Sequence, residues 1–165
     1  MRLDLREIIQ VPGGNVPFSF ALDLSGLDFY GAKPIAHPIL VEGQVRNRAG
    51  VLELSGKAST VLELACDRCG QPFRREKTVP LDTLLATELA GEDHGDIVLL
   101  DGTELDLDEL ATSAFVLAMD SKNLCQEDCK GLCPGCGVDL NHAPCRCRRE
   151  MDPRLAALAQ LLDKE

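Results

Sequence analysis

A chain of 165 residues has room for one ordinary domain and a small appendage. Its hydrophobic fraction of 45% is that of a globular protein, but aromatics make up only 4% and tryptophan is absent, so the core has to be aliphatic. No apolar run reaches the roughly 18 residues of a membrane span, and a net charge of −10 disfavours tight, sequence-blind binding to nucleic acid.

The charge is unevenly placed. Between Thr78 and Leu110 there are ten acids and no Lys or Arg, which leaves 17 acids against 17 bases elsewhere. One face or loop therefore carries the acidity, and the rest of the chain can present a local basic patch.

Taken in order, residues 1–9 alternate, with Leu3, Leu5 and Ile8 as inward positions, and read as a first strand ended by Pro12-Gly13-Gly14. Asp4, Arg6 and Glu7 stand where a signal peptide would need its apolar core, so an unexported, cytoplasmic chain is expected. Val16 to Leu24 is a second strand, followed by an irregular connection through Gly26, Gly31 and Pro34. Residues 38–65 give the clearest β pattern: Ile39, Val41 and Val45 alternate with polar positions, Asn47 to Gly50 turns, Val51 to Ser55 returns, and Thr60 to Ala65 runs into Cys66. Pro72 to Val79 leaves that point as the partner strand.

Leu81 to Leu89 fits strand or helix, Gly91 to Gly95 is an acidic loop whose His94 reads as solvated, and Ile97 to Leu100 is a short strand. Asp106 caps a long helix through Glu109, with Leu110, Ala114, Leu117 and Ala118 as its apolar stripe. Near the end, Asp152 and Pro153 start a short amphipathic helix faced by Leu155, Leu158, Leu161 and Leu162. The expected fold is α+β: a mainly antiparallel β-sheet or partly open barrel with one long helix. Its β-rich domain spans 1–121, and a cysteine-rich tail with its short helix spans 122–165.

Eight cysteines punctuate this order. Cys66 and Cys69 form C-x2-C, Cys125 and Cys129 C-x3-C, Cys133 and Cys136 C-x2-C, and Cys145 and Cys147 C-x-C. Each pair is a two-toothed chelator, and a tetrahedral all-thiolate zinc ion takes two of them, so two zinc ions use every thiol. In Cys133-Pro134-Gly135-Cys136-Gly137 and Cys66-Asp67-Arg68-Cys69-Gly70 a tight turn aims both sulfurs at one ion, the signature of a zinc knuckle. A disulfide framework competes with this reading but belongs to exported chains. A thioredoxin-like redox pair requires a βαβ setting that neither C-x2-C motif has.

With these residues in view, the chain resembles the YceD family of bacterial proteins. The motifs that carry the resemblance are Leu64 to Phe73, Asp101 to Leu107, Leu124 to Cys147, and Asp152-Pro153-Arg154. The resemblance implies a cytoplasmic protein needed for accumulation of large-subunit ribosomal RNA, with no enzymatic activity. Some members resemble this chain around Cys66 and Cys69 but lack the tail with Cys133, Cys136, Cys145 and Cys147, which suggests a partition of the thiols. The tail set is also local enough to close one site, leaving Cys66, Cys69, Cys125 and Cys129 for the other. A zinc ribbon joining Cys66 and Cys69 to Cys133 and Cys136 is the alternative pairing. His142 can ligate zinc, but with eight thiols present it reads as a loop residue.

Four thiolates per ion leave no coordination position for a substrate, and no nucleophile elbow, phosphate loop or dinucleotide fingerprint occurs, so no enzyme is expected. Cations flank the cysteines: Arg68, Arg74, Arg75 and Lys77 at the first knuckle, then Lys122, Lys130, Arg146, Arg148, Arg149 and Arg154. Arginines beside a knuckle suit phosphates or unpaired bases, whereas the plainer role is to offset the formal −2 charge of each loaded four-thiolate site. Two functions follow. One is a ribosome-biogenesis factor touching large-subunit ribosomal RNA or a basic ribosomal protein; the other is a protein adaptor or structural zinc module linked to that RNA only indirectly.

Overall fold

The computed structural model describes residues 1–88 and 97–147. Its elements are β1 (Arg2–Asp4), α1 (Arg6–Ile9), β2 (Asn15–Leu22), β3 (Ile39–Arg48), β4 (Val51–Ala65), β5 (Pro72–Pro80), β6 (Thr83–Ala86), β7 (Ile97–Leu99), β8 (Glu104–Asp106) and α2 (Leu107–Leu117). The acidic loop with His94 and the helix expected after Asp152 lie outside the described residues.

The sheet is organised around β4. Residues 51–59 of this 15-residue strand pair with β3, while its other edge takes β6 at Leu52–Leu54 and β5 at Lys57–Ala65. The path runs β2-β3-β4-β6-β7, with β5 on β4. All its pairings are antiparallel except β6 with β7, and the sheet does not close into a barrel. The short β1 pairs separately with β8.

Alternation explains the core. Ile39, Val41 and Val45 of β3 are fully buried, Leu54, Ala58 and Leu62 of β4 are nearly so, and all join Leu107, Ala111 and Phe115 of α2 in one apolar cluster. Phe18 belongs to it although β2 is an edge strand. Its register neighbour Gly43 faces Gly56 across β3 and β4, and a Cβ on Gly43 would lie 2.5 Å from the Ser55 carbonyl and 2.7 Å from the Phe18 ring. Two glycines in register thus leave the space an aromatic ring fills.

Two expectations need correction. Residues 1–9 are not one strand: extension stops at Asp4, and a single helical turn follows. Leu3, Leu5 and Ile8 are all buried as expected, but the step from Leu5 to Ile8 is a helical spacing of three. The helix after Asp106 is also shorter than expected, 11 residues or about 16 Å. Asp106 does cap it, its carboxylate accepting from the backbone N–H groups of Asp108 and Glu109. The fully buried stripe, however, is Leu107, Ala111 and Phe115; of the expected residues Leu110, Ala114 and Ala118 pack partly buried beside it, and Leu117 is 86% exposed. Phe115 is the largest apolar side chain of the helix, and its burial sets the rotation.

Candidate metal centres

The first knuckle grows out of the β4–β5 hairpin. β4 ends at Ala65, the Cys66 N–H donates to Gln71 O at 2.9 Å, and the Gly70 N–H returns to Cys66 O at 2.8 Å. Gly70 closes the turn with φ +72, a left-handed conformation suited to glycine. The tail repeats this turn: Cys133 N–H to Val138 O at 2.8 Å, Gly137 N–H to Cys133 O at 2.8 Å, and Gly137 at φ +72.

Each knuckle meets a second cysteine pair. Cys66, Cys69, Cys125 and Cys129 have their four Sγ atoms within 4.8 Å of one another, and so do Cys133, Cys136, Cys145 and Cys147. In the first group Cys66 and Cys129 are 3.7 Å apart and Cys69 and Cys125 3.8 Å. In the second, Cys133 and Cys136 lie 3.1 and 3.7 Å from Cys145. A tetrahedron with Zn–S bonds of about 2.3 Å separates its sulfurs by about 3.8 Å, so the first group has that spacing and the second is slightly contracted. All eight cysteines are free thiols. The two groups can therefore hold metal ions, and their donor sets suit zinc. The ribbon pairing of the two like knuckles is not the one the fold brings together.

Electrostatics within each group favour a cation. The Cys66 thiol is lowered to about 6, chiefly by the backbone N–H of Cys125, and Cys133 to about 6 by the neighbouring Cys145 thiol and the Gly135 N–H. In contrast, Cys125 is pushed up to about 12 by desolvation and then by the surrounding thiols, and Cys147 to about 12 by Cys136 and Cys145. One thiolate forms readily in each cluster, while a positive charge among the sulfurs would favour ionisation of the raised thiols Cys125 and Cys147.

Local polar bonds hold the first cluster in place. The Asp67 N–H donates to Asn123 O at 2.8 Å, and Asp67 Oδ2 accepts from the Asn123 N–H at 2.6 Å. The Arg68 guanidinium donates to Cys129 O at 2.6 Å, and Arg75 to Leu124 O at 2.6 Å while also facing Asp120 and the Phe73 ring. Both cations thus orient the backbone around the thiols. Arg74 pairs with Glu63 at the surface, and the exposed Arg146 has no ion pair among the described residues; Arg148 and Arg149 lie outside them.

Asn141, to which the cysteine spacing assigns no role of its own, connects the two centres. Its Nδ2 lies 3.4 Å from the Cys129 sulfur, and its Oδ1 accepts from the Lys130 N–H at 2.7 Å. His142 stays outside both clusters, bonded to Asp139 at 2.9 Å.

Gly131, between Cys129 and Cys133, packs closely on the first knuckle. With φ +74, its missing Cβ would sit 2.8 Å from Arg68 O, the carbonyl that accepts from the Leu132 N–H. Gly137 has nearly the same φ but open space at its Cβ position. Gly137→Ala should therefore cost only the left-handed backbone penalty, about 1–2 kcal/mol. Gly131→Ala should cost more and weaken metal retention at the first centre, read as release at a lower chelator concentration; equal behaviour of the two variants would refute the importance of this close approach.

The molecule is thus a small open-sheet protein whose hairpin end and following segment build two four-thiol centres. The family described as large ribosomal RNA subunit accumulation protein YceD matches residues 54–162, a span that includes all eight cysteines, and the chain belongs to that family. An uncharacterized protein of Mycobacterium tuberculosis is 34% identical over 105 residues, covering 61% of this chain and 50% of its own. The large ribosomal RNA subunit accumulation protein YCED homolog 1, chloroplastic, of Zea mays is 29% identical over 161 residues, 77% of this chain and 55% of its own. Its namesake in Arabidopsis thaliana is 26% identical, covering 71% and 46%. The chain spans about half the length of these curated relatives. No solved structure matches it.

Proposed function

We propose that this chain is a non-enzymatic, zinc-binding cytoplasmic factor that supports accumulation of large-subunit ribosomal RNA during ribosome biogenesis, by contact with that RNA or with a basic ribosomal protein. The observation that carries the reading is the pair of four-thiol clusters, at separations a tetrahedral ion fits, inside the region matched by the family. Zinc held by Cys66, Cys69, Cys125 and Cys129, and by Cys133, Cys136, Cys145 and Cys147, would have four thiolate ligands and no vacancy for substrate. Its work is then structural: fixing the hairpin end and the tail as one contact surface.

Replacing the cysteines of the first centre by serine in cells tests the reading. Large-subunit ribosomal RNA should fall relative to the small-subunit RNA, and an unchanged ratio would refute the role. Direct RNA contact is tested separately by salt titration of the zinc-loaded chain with large-subunit RNA fragments. If Arg74 and Arg146 touch phosphates, reversing their charge should flatten the salt slope by about 0.7–0.9 for each phosphate no longer neutralised.

A second reading, contact through protein alone, is favoured by one feature. Arg68 and Arg75 are engaged with backbone carbonyls of the cysteine segment, which takes two of the cations nearest the first knuckle away from phosphate. In that case the RNA fragments should not bind even at low salt.

A further inference from the structure

α2 carries two apolar stripes. Leu107, Ala111 and Phe115 are buried in the core. Leu110, Ala114 and Leu117, spaced by four and three, line a surface groove of about 580 Å³ bounded by α2, β7 and β8, Leu110 and Ala114 resting partly buried on the core and Leu117 exposed. The opposite wall is apolar as well: Leu99 is 54% exposed and Ile97 37%. Surface leucines occur singly on many proteins, but here three large exposed side chains converge on one concavity.

The rim has one sign of charge. Asp82, Asp101, Glu104, Asp106 and Glu109 line the groove, and among the described residues no Lys or Arg does. Arg2, 3.6 to 4.0 Å from Glu104, Asp106 and Asp101, and Arg6, whose charge reaches Glu104, stand beside it, and two cations do not balance five carboxylates. An apolar floor between carboxylates selects against RNA, whose phosphates would be repelled. It equally disfavours a second copy of this acidic chain. What fits is a segment with an apolar face and Lys or Arg at its margins.

We propose that the groove between α2 and β7 is the docking site for a basic amphipathic segment of a partner protein. The proposal deepens the reading above and rests on it, assigning the protein arm of the contact to this face and leaving the metal centres as the scaffold. Leu99 and Leu117 supply the apolar contact, and Asp101 and Glu109 the charge.

The test uses the zinc-loaded full chain and, as probes, overlapping peptides of about 20 residues from the basic proteins of a bacterial large ribosomal subunit, followed by fluorescence anisotropy. At least one basic amphipathic peptide should bind, weaken about tenfold or more with the double variant Leu99→Asp and Leu117→Asp, and weaken with added salt or with Asp101→Asn and Glu109→Gln. The leucines are exposed, so both metal equivalents and the thermal transition should be retained in the variant. Three results would overturn the proposal: no peptide whose binding depends on these leucines; peptide binding that appears only after Leu158 and Leu162 are changed to Asp, which makes the chain's own C-terminal segment the occupant; or a dimer dissociated by Leu117→Asp, which makes a second copy the occupant. In cells, a ribosomal RNA defect with the cysteine variants but not with the groove variant would remove the groove alone. Absence of a defect with either would remove the underlying reading too.

Discussion

A chain carrying Cys129→Ser should bind one metal equivalent where the native chain binds two, and its main thermal transition should fall sharply. Cys145→Ser should also bind one equivalent, yet leave that transition nearly in place. The difference comes from what each centre closes. The second centre lies wholly within residues 133–147, so its loss frees a local loop. The first joins the end of the β4–β5 hairpin to a segment some 60 residues further on, and through it the bonds of Asp67, Arg68 and Arg75 to the backbone of residues 123–129 are kept. Structural zinc contributes about 10–16 kcal/mol in small peptides, against about 5–15 kcal/mol for the whole stability of a domain. Even a fraction of that, lost where Cys66, Cys69 and Cys129 are buried against Phe73 and Leu124, exceeds the effect of most single core changes. Native mass spectrometry gives the metal count and calorimetry the transition; equal shifts in the two variants would show that the first centre does not clamp the hairpin.

The metal clusters are readable from spacing because chelation is local: two sulfurs two or three residues apart reach one ion whatever lies around them. Strands β3 and β4 are readable for a similar reason, since Ile39, Val41 and Val45 alternate over a run long enough to exclude a helix. Where sequence and structure part, two periods fit the same residues. Leu3 and Leu5 share one face of a strand, but Ile8 shares a face with Leu5 only in a helical turn, and the bond from the Ile9 N–H to Leu5 O at 3.0 Å is what makes that turn. In α2 the stripe containing Leu110 and Leu117 is real, but a second stripe with the bulkier Phe115 occupies the core. The roles of Arg68 and Arg75 are hidden in the sequence because a cation's partner is set by tertiary reach. Proximity to cysteine along the chain suggests phosphate contact, and the fold supplies backbone carbonyls instead.

Asn47 is legible in the sequence only as a turn residue, and its substitution should be among the most costly outside the metal centres. It is 1% exposed, yet every polar atom of its side chain is used. Its Nδ2 donates to Ile8 O at 2.7 Å, a carbonyl that also accepts from the Val11 N–H, and to Ile9 O at 2.9 Å at the end of α1. Its Oδ1 accepts from the Gly50 N–H at 2.8 Å, closing the β3–β4 turn. Asn47→Asp keeps the shape but sets a carboxylate oxygen against two carbonyl oxygens, so a loss of about 3–5 kcal/mol is expected at neutral pH, the scale of an unpaired buried charge. Burial raises the introduced carboxyl above its unfolded value of about 3.9, and the folded state therefore holds that proton more tightly than the unfolded one. Stability of the variant should then decline as pH rises above about 4 and level off once the folded-state group has ionised, because the protonated form can donate to one of the two carbonyls. Native Asn47 contributes no such slope. Chemical denaturation of the two proteins between pH 5 and 8 measures the gap, and a difference that stayed constant or narrowed with rising pH would mean that the carboxylate has found water or a cation instead of the α1 carbonyls.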